Sequence, residues 1–361
     1  MKLGILGMPN AGKTALFNSL TRSGAKSGVF PFSTTETNVG IVSVPDPRLN
    51  ELAAMYKSEK ITNATIEFMD IAALVKGSGK GEGLGNKFLA GIREADALVH
   101  VVRCFEDENV LHVDGTVDAA RDMDTIDFEL IFADLEQLER RKSRTQKNAK
   151  ADKNLAGELE ALDRLTGELE SGIPARLIDL SDAEAQLVKE LSLLTYKPVI
   201  YALNVDEDSL SGGNSHSKAA LERIAKENAE AFLVSAKLEE EIALLPEEER
   251  AAFLAEMGVA ESGLDRIITA SYRLLGLMSF LTAGPKESRA WTIPLNTKAP
   301  AAAGKIHSDL ERGFIRAEIV NYGDLMERGS YAAAKEAGLV RLEGKEYVVR
   351  DGDVILFRFN V

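Results

Sequence analysis

The sequence predicts an α/β protein built on a largely parallel sheet. Near-continuous apolar runs at Ala97–Val102, Pro198–Leu203 and Ala231–Val234 read as strands buried on both faces. Helical patterns separate these runs, as crossover connections between parallel strands require. A glycine turn follows the first apolar run, Leu3–Leu6, and leads into a helix through Ala15, Leu16, Phe17 and Leu20.

Further along, Val39–Val44 and Thr65–Met69 are strand candidates rich in β-branched or aromatic residues. Between Asp127 and about Leu194 the pattern becomes helical and densely charged. Phe128, Ile131, Leu135 and Leu138 recur at helical spacing, as do Leu155, Leu159 and Leu162. Lys150–Asn154 has no apolar stripe and reads as a turn between two helices. A segment of ~65 residues exceeds what one crossover needs, so an antiparallel helical pair inserted into the sheet domain is expected. Beyond about Met278 lie short strand-like pieces: Trp291–Leu295, Phe314–Val320, Glu346–Val349 and Val354–Phe357. One helical pattern, near Tyr331–Ala337, accompanies them. The expected domains are therefore residues 1–126 with 195–277, a helical insert at 127–194, and a small α+β domain at 278–361.

Composition narrows the function. The chain has 361 residues, a net charge of −14, one cysteine and four histidines. Cys104 alone makes no internal disulfide, and so few Cys and His exclude a Cys/His zinc site. No apolar stretch reaches the ~20 residues of a membrane span. The amino-terminal apolar run is too short for a signal peptide, so a cytoplasmic protein with no membrane partner is expected. Residues 278–361 carry twelve Lys+Arg against eleven Asp+Glu, so the acidity belongs to the front of the chain.

Gly7-Met8-Pro9-Asn10-Ala11-Gly12-Lys13-Thr14 matches G-x-x-x-x-G-K-[ST], after a strand and before a helix. Its glycines let successive N–H groups converge on phosphate oxygens, and the helix N-terminus adds favourable partial charge. Asn10, Ala11, Gly12, Lys13, Thr14 and Ala15 are the expected contacts. Lys13 reaches the outer phosphates and Thr14 ligates Mg²⁺. Asp70, at the end of a strand, and Thr34, in a loop where switches sit, complete the expected metal set. Ala73 and Leu74 follow in a D-x-x-G-like element. Leu74 stands where many GTPases carry glutamine, and leucine cannot orient water. The glycine-alternating segment Lys76–Asn86 reads as a switch that orders on binding, or as a second phosphate loop.

GTP-selective proteins read guanine with N-K-x-D after a late strand. Here that place holds Asn204-Val205-Asp206-Glu207, without the Lys and with Glu for the final Asp. Loss of the bidentate carboxylate favours adenine, read by backbone groups near Asn204, Val205 and Glu207 and near Ser235 and Ala236. The other reading of Asp206 and Glu207 is a solvated acidic turn.

These motifs, with Pro31–Thr34, Asp70–Asn86, His100–Phe105, Arg289–Pro294 and Phe357–Val361, closely resemble the YchF/Obg-like ATPases from end to end. The resemblance implies a Ras-like P-loop domain, a helical coiled-coil insert and a carboxy-terminal TGS domain of β-grasp type. It implies ATP in preference to GTP, Mg²⁺, and association with ribosomes in translation or stress. It also implies a hydrolytic role for His112, whose alternative is a satisfied surface histidine, and K⁺ binding at Asn10. Family members usually carry Gly where Ala73 stands. Arg140, Arg141, Lys142, Arg144, Lys147, Lys150 and Lys153 fall within fourteen residues with one acid, Asp152. That run is either a solvated face or an RNA-facing patch. Two functions stand against each other: a slow ATPase switch, and a nucleotide-gated ribosome- or RNA-binding module, or a GTPase, whose turnover is incidental.

Overall fold

The computed structural model describes residues 1–23, 38–73, 84–149, 155–227, 229–256 and 261–360. Strand β1 (Lys2–Leu6) leads into α1 (Lys13–Ser23), β2 (Asn38–Ser43), α2 (Arg48–Tyr56), β3 (Ile61–Thr62) and β4 (Thr65–Asp70). Next come α3 (Leu84–Glu94), β5 (Ala97–Arg103), α4 (Ala119–Ala149), α5 (Ala156–Glu170) and α6 (Asp182–Leu191). Then β6 (Val199–Asn204), α7 (Ser215–Ile224), β7 (Ala231–Val234), α8 (Ala236–Leu244), α9 (Glu247–Glu256) and α10 (Gly263–Leu274) follow. The chain finishes with β8 (Leu277–Ala283), β9 (Ser288–Pro294), α11 (Ala299–Ile306), α12 (Ser308–Arg312) and β10 (Phe314–Asn321). Last are α13 (Tyr322–Arg328), α14 (Tyr331–Glu336), β11 (Arg341–Glu343) and β12 (Asp353–Phe359).

Two compact units result: Met1–Gly40 with Glu67–Ile267, and Ile41–Ile66 with Ile268–Val361. The first holds a sheet in the order β2-β4-β1-β5-β6-β7, with β1 parallel to β4 and β5, and β6 parallel to β5 and β7. Every residue of β5 and β6 is buried, which is why both read as unbroken apolar runs.

The helical segment also lies in the first unit. Helix α4 begins at Ala119, eight residues before the expected start of the insert, because Ala119, Met123, Ile126 and Leu130 pack into the sheet-domain core. Its outer half pairs with α5 around Leu138, Leu162, Leu165 and Leu169, and α6 adds a third helix that was not expected. The returning chain is pinned where Asp134 accepts bonds from the Leu194 and Thr195 backbone at 2.7 and 2.8 Å. At the root, Arg176 and Arg223 converge on Asp127 at 2.9 and 2.6 Å. The turn expected at residues 150–154 lies outside the described residues.

The second unit has the sheet order β11-β10-β12-β8-β9-β3 around Phe280, Ile293, Phe314 and Phe357. Residues 41–66, given by the sequence to the first domain, belong here, because β3 pairs with β9 and Arg48 pairs with Asp351 at 2.7 Å. Residues 346–349 form no strand but one bridge, Lys298 to Val348. Four short helices stand where one pattern was legible, since helices of five to eight residues show barely two turns of periodicity.

Candidate nucleotide site

The P-loop hangs between the carboxyl end of β1 and the first turn of α1. Gly12 sits at φ 96°, and a Cβ there would strike the Asn204 side chain. A Cβ on Gly7 would strike the Val101 carbonyl, so the loop runs too close to β5 for any other residue. Asn10 holds a left-handed φ of 61°. Its side-chain amide donates to the Leu111 carbonyl at 2.9 Å, which ties the loop to the segment after β5.

Lys13 is nearly buried and donates to the Met8 carbonyl at 2.8 Å. Burial pulls its ammonium down to about 8, while the Asp70 charge opposes that shift. Thr14 Oγ1 donates to Asp70 Oδ2 at 3.2 Å. Burial pushes the Asp70 carboxyl up, against the Thr14 hydrogen bond and the Lys13 charge. Its Oδ1 is buried with no hydrogen-bond partner among the described residues. An orphaned carboxylate oxygen beside a hydroxyl, both at a phosphate loop, is the donor chemistry a hard cation such as Mg²⁺ takes. Thr34 and Leu74 lie outside the described residues, as does most of the glycine-alternating segment.

Asn204 braces the other wall. Its Nδ2 donates to the Ala11 carbonyl at 2.9 Å and its Oδ1 accepts from Ala236 N at 3.0 Å. The side chain is therefore committed to holding P-loop and base loop together, while its backbone carbonyl accepts from Cys104 N at 2.8 Å. Ser235 caps α8, Asp206 caps a short turn through Ser209 N, and Glu207 pairs with Lys237 at 3.3 Å. Between these elements lies a cavity of about 350 Å³, lined by Gly12, Ala15, Val205, Glu207 and Ala236 among others. That volume falls within the range of small-ligand pockets. Of the residues expected at the nucleotide, Gly12, Ala15, Asn204, Val205, Glu207, Ser235 and Ala236 line this cavity, whereas Asn10, Ala11, Lys13, Thr14 and Asp70 do not.

Phe105 and Val110 also line the cavity, and the sequence reading did not assign them to the site. The available signal was position: both follow the carboxyl end of a buried strand, where open α/β sheets place their ligands.

His112 is hydrogen-bonded at both ring nitrogens, as a satisfied histidine is. It is not a surface residue, since its side chain is only 3% exposed. Nδ1 accepts from Asp114 N at 3.0 Å and Nε2 lies 2.8 Å from Asp122 Oδ2. With both ring nitrogens engaged, it has none to offer a water in this arrangement. A water-positioning role therefore requires the Asp122 contact to open.

Residues 2–137 match a model described as 50S ribosome-binding GTPase, and residues 277–360 match the YchF-GTPase carboxy-terminal model, described as a protein of unknown function. The chain is 54% identical to the ribosome-binding ATPase YchF of Bacillus subtilis (strain 168), over 99% of both chains. It is 49% identical to the protein of that name from Escherichia coli O157:H7, over 100% of this chain and 99% of the other. Its structure resembles that of the Schizosaccharomyces pombe YchF GTPase, with a TM-score of 0.87 and 34% identity over 99% of this chain and 97% of that one.

Proposed function

The chain belongs to the YchF family, and from that premise we propose that it is a Mg²⁺-dependent ATPase that hydrolyses ATP slowly, as a conformational switch on the ribosome. The convergence of the P-loop with the Asn204–Glu207 and Ser235–Ala236 backbone around one cavity carries this reading. Lys13 leaves the Met8 carbonyl for the outer phosphates. Thr14 and Asp70, with Thr34, would hold Mg²⁺, which when bound neutralises phosphate charge. ATP is preferred because the position of the guanine-reading Asp holds Glu207, which has a longer stem and pairs with Lys237 at 3.3 Å.

Ribosome contact falls to the insert, residues 127–194. Arg141 and Lys142 are tied to Glu158 and Asp163 at 2.6 and 2.7 Å. Arg140, Arg144 and Lys147 are exposed and make no ion pair among the described residues, so their charge is available to RNA phosphates. The nucleotide domain is taken as residues 1–40 with 67–126 and 195–267, and the carboxy-terminal domain as 268–361 with 41–66. A cytoplasmic location suits a ribosome partner. No described helix is long and apolar enough to cross a membrane. K⁺ at Asn10 belongs to the same proposal.

Equilibrium binding of labelled ATP and GTP, with Mg²⁺ and with K⁺ or Na⁺, tests it. Tighter GTP binding overturns the base assignment, and indifference to K⁺ removes the monovalent ion. The engaged nitrogens of His112 favour a second reading, a nucleotide-gated binding module. Turnover unaltered by loss of His112 would select it.

A further inference from the structure

Arg103 ends β5, and it is 2% exposed. A guanidinium removed from water ordinarily meets a carboxylate. This one has no ion pair among the described residues. Its Nη2 donates to the Val110 carbonyl at 2.8 Å and its Nε to the Phe105 carbonyl at 3.2 Å. Nη1 lies 3.5 Å from the Leu111 carbonyl, and the guanidinium stands 4.5 Å from the centre of the Phe105 ring. Every contact falls on one loop, residues 105–111.

That loop supplies the wall of the base cavity through Phe105 and Val110. It is also where Asn10 of the P-loop attaches, on the Leu111 carbonyl. A short turn, Val110 N to Asp107 O at 3.1 Å, folds the segment so that its carbonyls converge on the guanidinium. Only a planar fork with several donors reaches carbonyls five residues apart while lying on a ring. A lysine ammonium is a point donor and does not.

We infer that Arg103 is a positioning residue for nucleobase recognition: it fixes Phe105 and Val110 as the wall against which the purine packs. This rests on the nucleotide site proposed above. The free energy it controls belongs to the base, whereas the triphosphate is held by the P-loop, which shares with Arg103 the Leu111 carbonyl, 2.9 Å from the Asn10 amide and 3.5 Å from Arg103 Nη1.

Titration calorimetry on the full chain with Mg²⁺ separates these contributions, using ATP and inorganic triphosphate as probes. In Arg103→Lys the ATP dissociation constant is expected to rise about tenfold while that for triphosphate stays within about twofold. Phe105→Ala, at a partly exposed site that does not threaten folding, is expected to show the same split, with rescue by Phe105→Tyr. Parallel weakening of both probes in the two variants, or an ATP affinity unchanged in either, overturns the assignment. Should the unmodified protein bind GTP more tightly than ATP, the ATP reading fails separately, and GTP against triphosphate still measures the base contribution.

Discussion

His112 Nε2 and Asp122 Oδ2 stand 2.8 Å apart, with side chains 3% and 2% exposed. A buried imidazole held this way belongs to the loop after β5 and to the first turn of α4 at once. If its release is part of hydrolysis, His112→Ala lowers single-turnover ATP cleavage about tenfold or more and leaves ATP affinity within about twofold. Rapid-quench measurements with and without ribosomes check this.

Lys13 makes nucleotide binding sensitive to pH on the alkaline side. Its free-state value of about 8 means that above that pH the empty site holds a neutral amine. Phosphate binding then requires proton uptake. Log affinity for ATP is therefore flat below pH 8 and falls with a slope approaching about −1 above it. Calorimetry at pH 9 in buffers of different ionisation enthalpy should register the proton taken up.

Glu239 on α8 is 5% exposed, accepts from Gly263 N at 2.8 Å and leaves its Oε2 without a hydrogen-bond partner among the described residues. Burial raises its carboxyl to about 7. The folded state thus binds more protons than the unfolded one between about pH 4.5 and 7, and stability from this group falls as pH rises through that window. Glu239→Gln removes the buried charge, keeps an acceptor for Gly263, and raises stability at pH 8 by up to about 3 kcal/mol. At pH 4.5 the gain should vanish. Denaturant titrations at the two pH values test both halves.

Asn204→Ala strips a donor from the Ala11 carbonyl and an acceptor from Ala236 N, both buried. Two unsatisfied buried groups cost about 2–4 kcal/mol and release the P-loop from the base loop. Thermal melts should show the loss without ligand. The stabilisation that ATP confers should shrink as well.

Replacing Arg140, Arg144 and Lys147 together by Glu inverts the free charge of the insert while sparing the Glu158 and Asp163 pairs. Ribosome co-sedimentation is expected to weaken about tenfold or more, with a shallower salt dependence. ATP affinity should not move.

Strands β5 and β6 were legible because a strand buried on both faces leaves an unbroken apolar run; β7, read the same way, is a half-buried edge strand in which only Val234 is buried. The P-loop was legible because its glycines answer to steric demands that nothing else meets. Two kinds of feature stayed hidden. Residues 41–66 join the second unit through strand pairing and ion pairs to residues more than two hundred positions away, such as Arg48 with Asp351, and no local pattern encodes a partner. Phe105 and Arg103 looked like strand-end residues. Their roles come from a loop that folds back onto the guanidinium, which is tertiary information.

Helix α4 is continuous over 31 residues, about 46 Å at the usual rise per residue. Its first turn grips the His112 loop through Asp122, and Lys147 sits 25 residues further out. A stiff rod turned about one end amplifies distance. A rotation of about 5° at Asp122 carries the backbone at Lys147 through about 3 Å, roughly the length of a hydrogen bond. An adjustment too small to disturb the packing at its root is enough, at the tip, to make or break a contact.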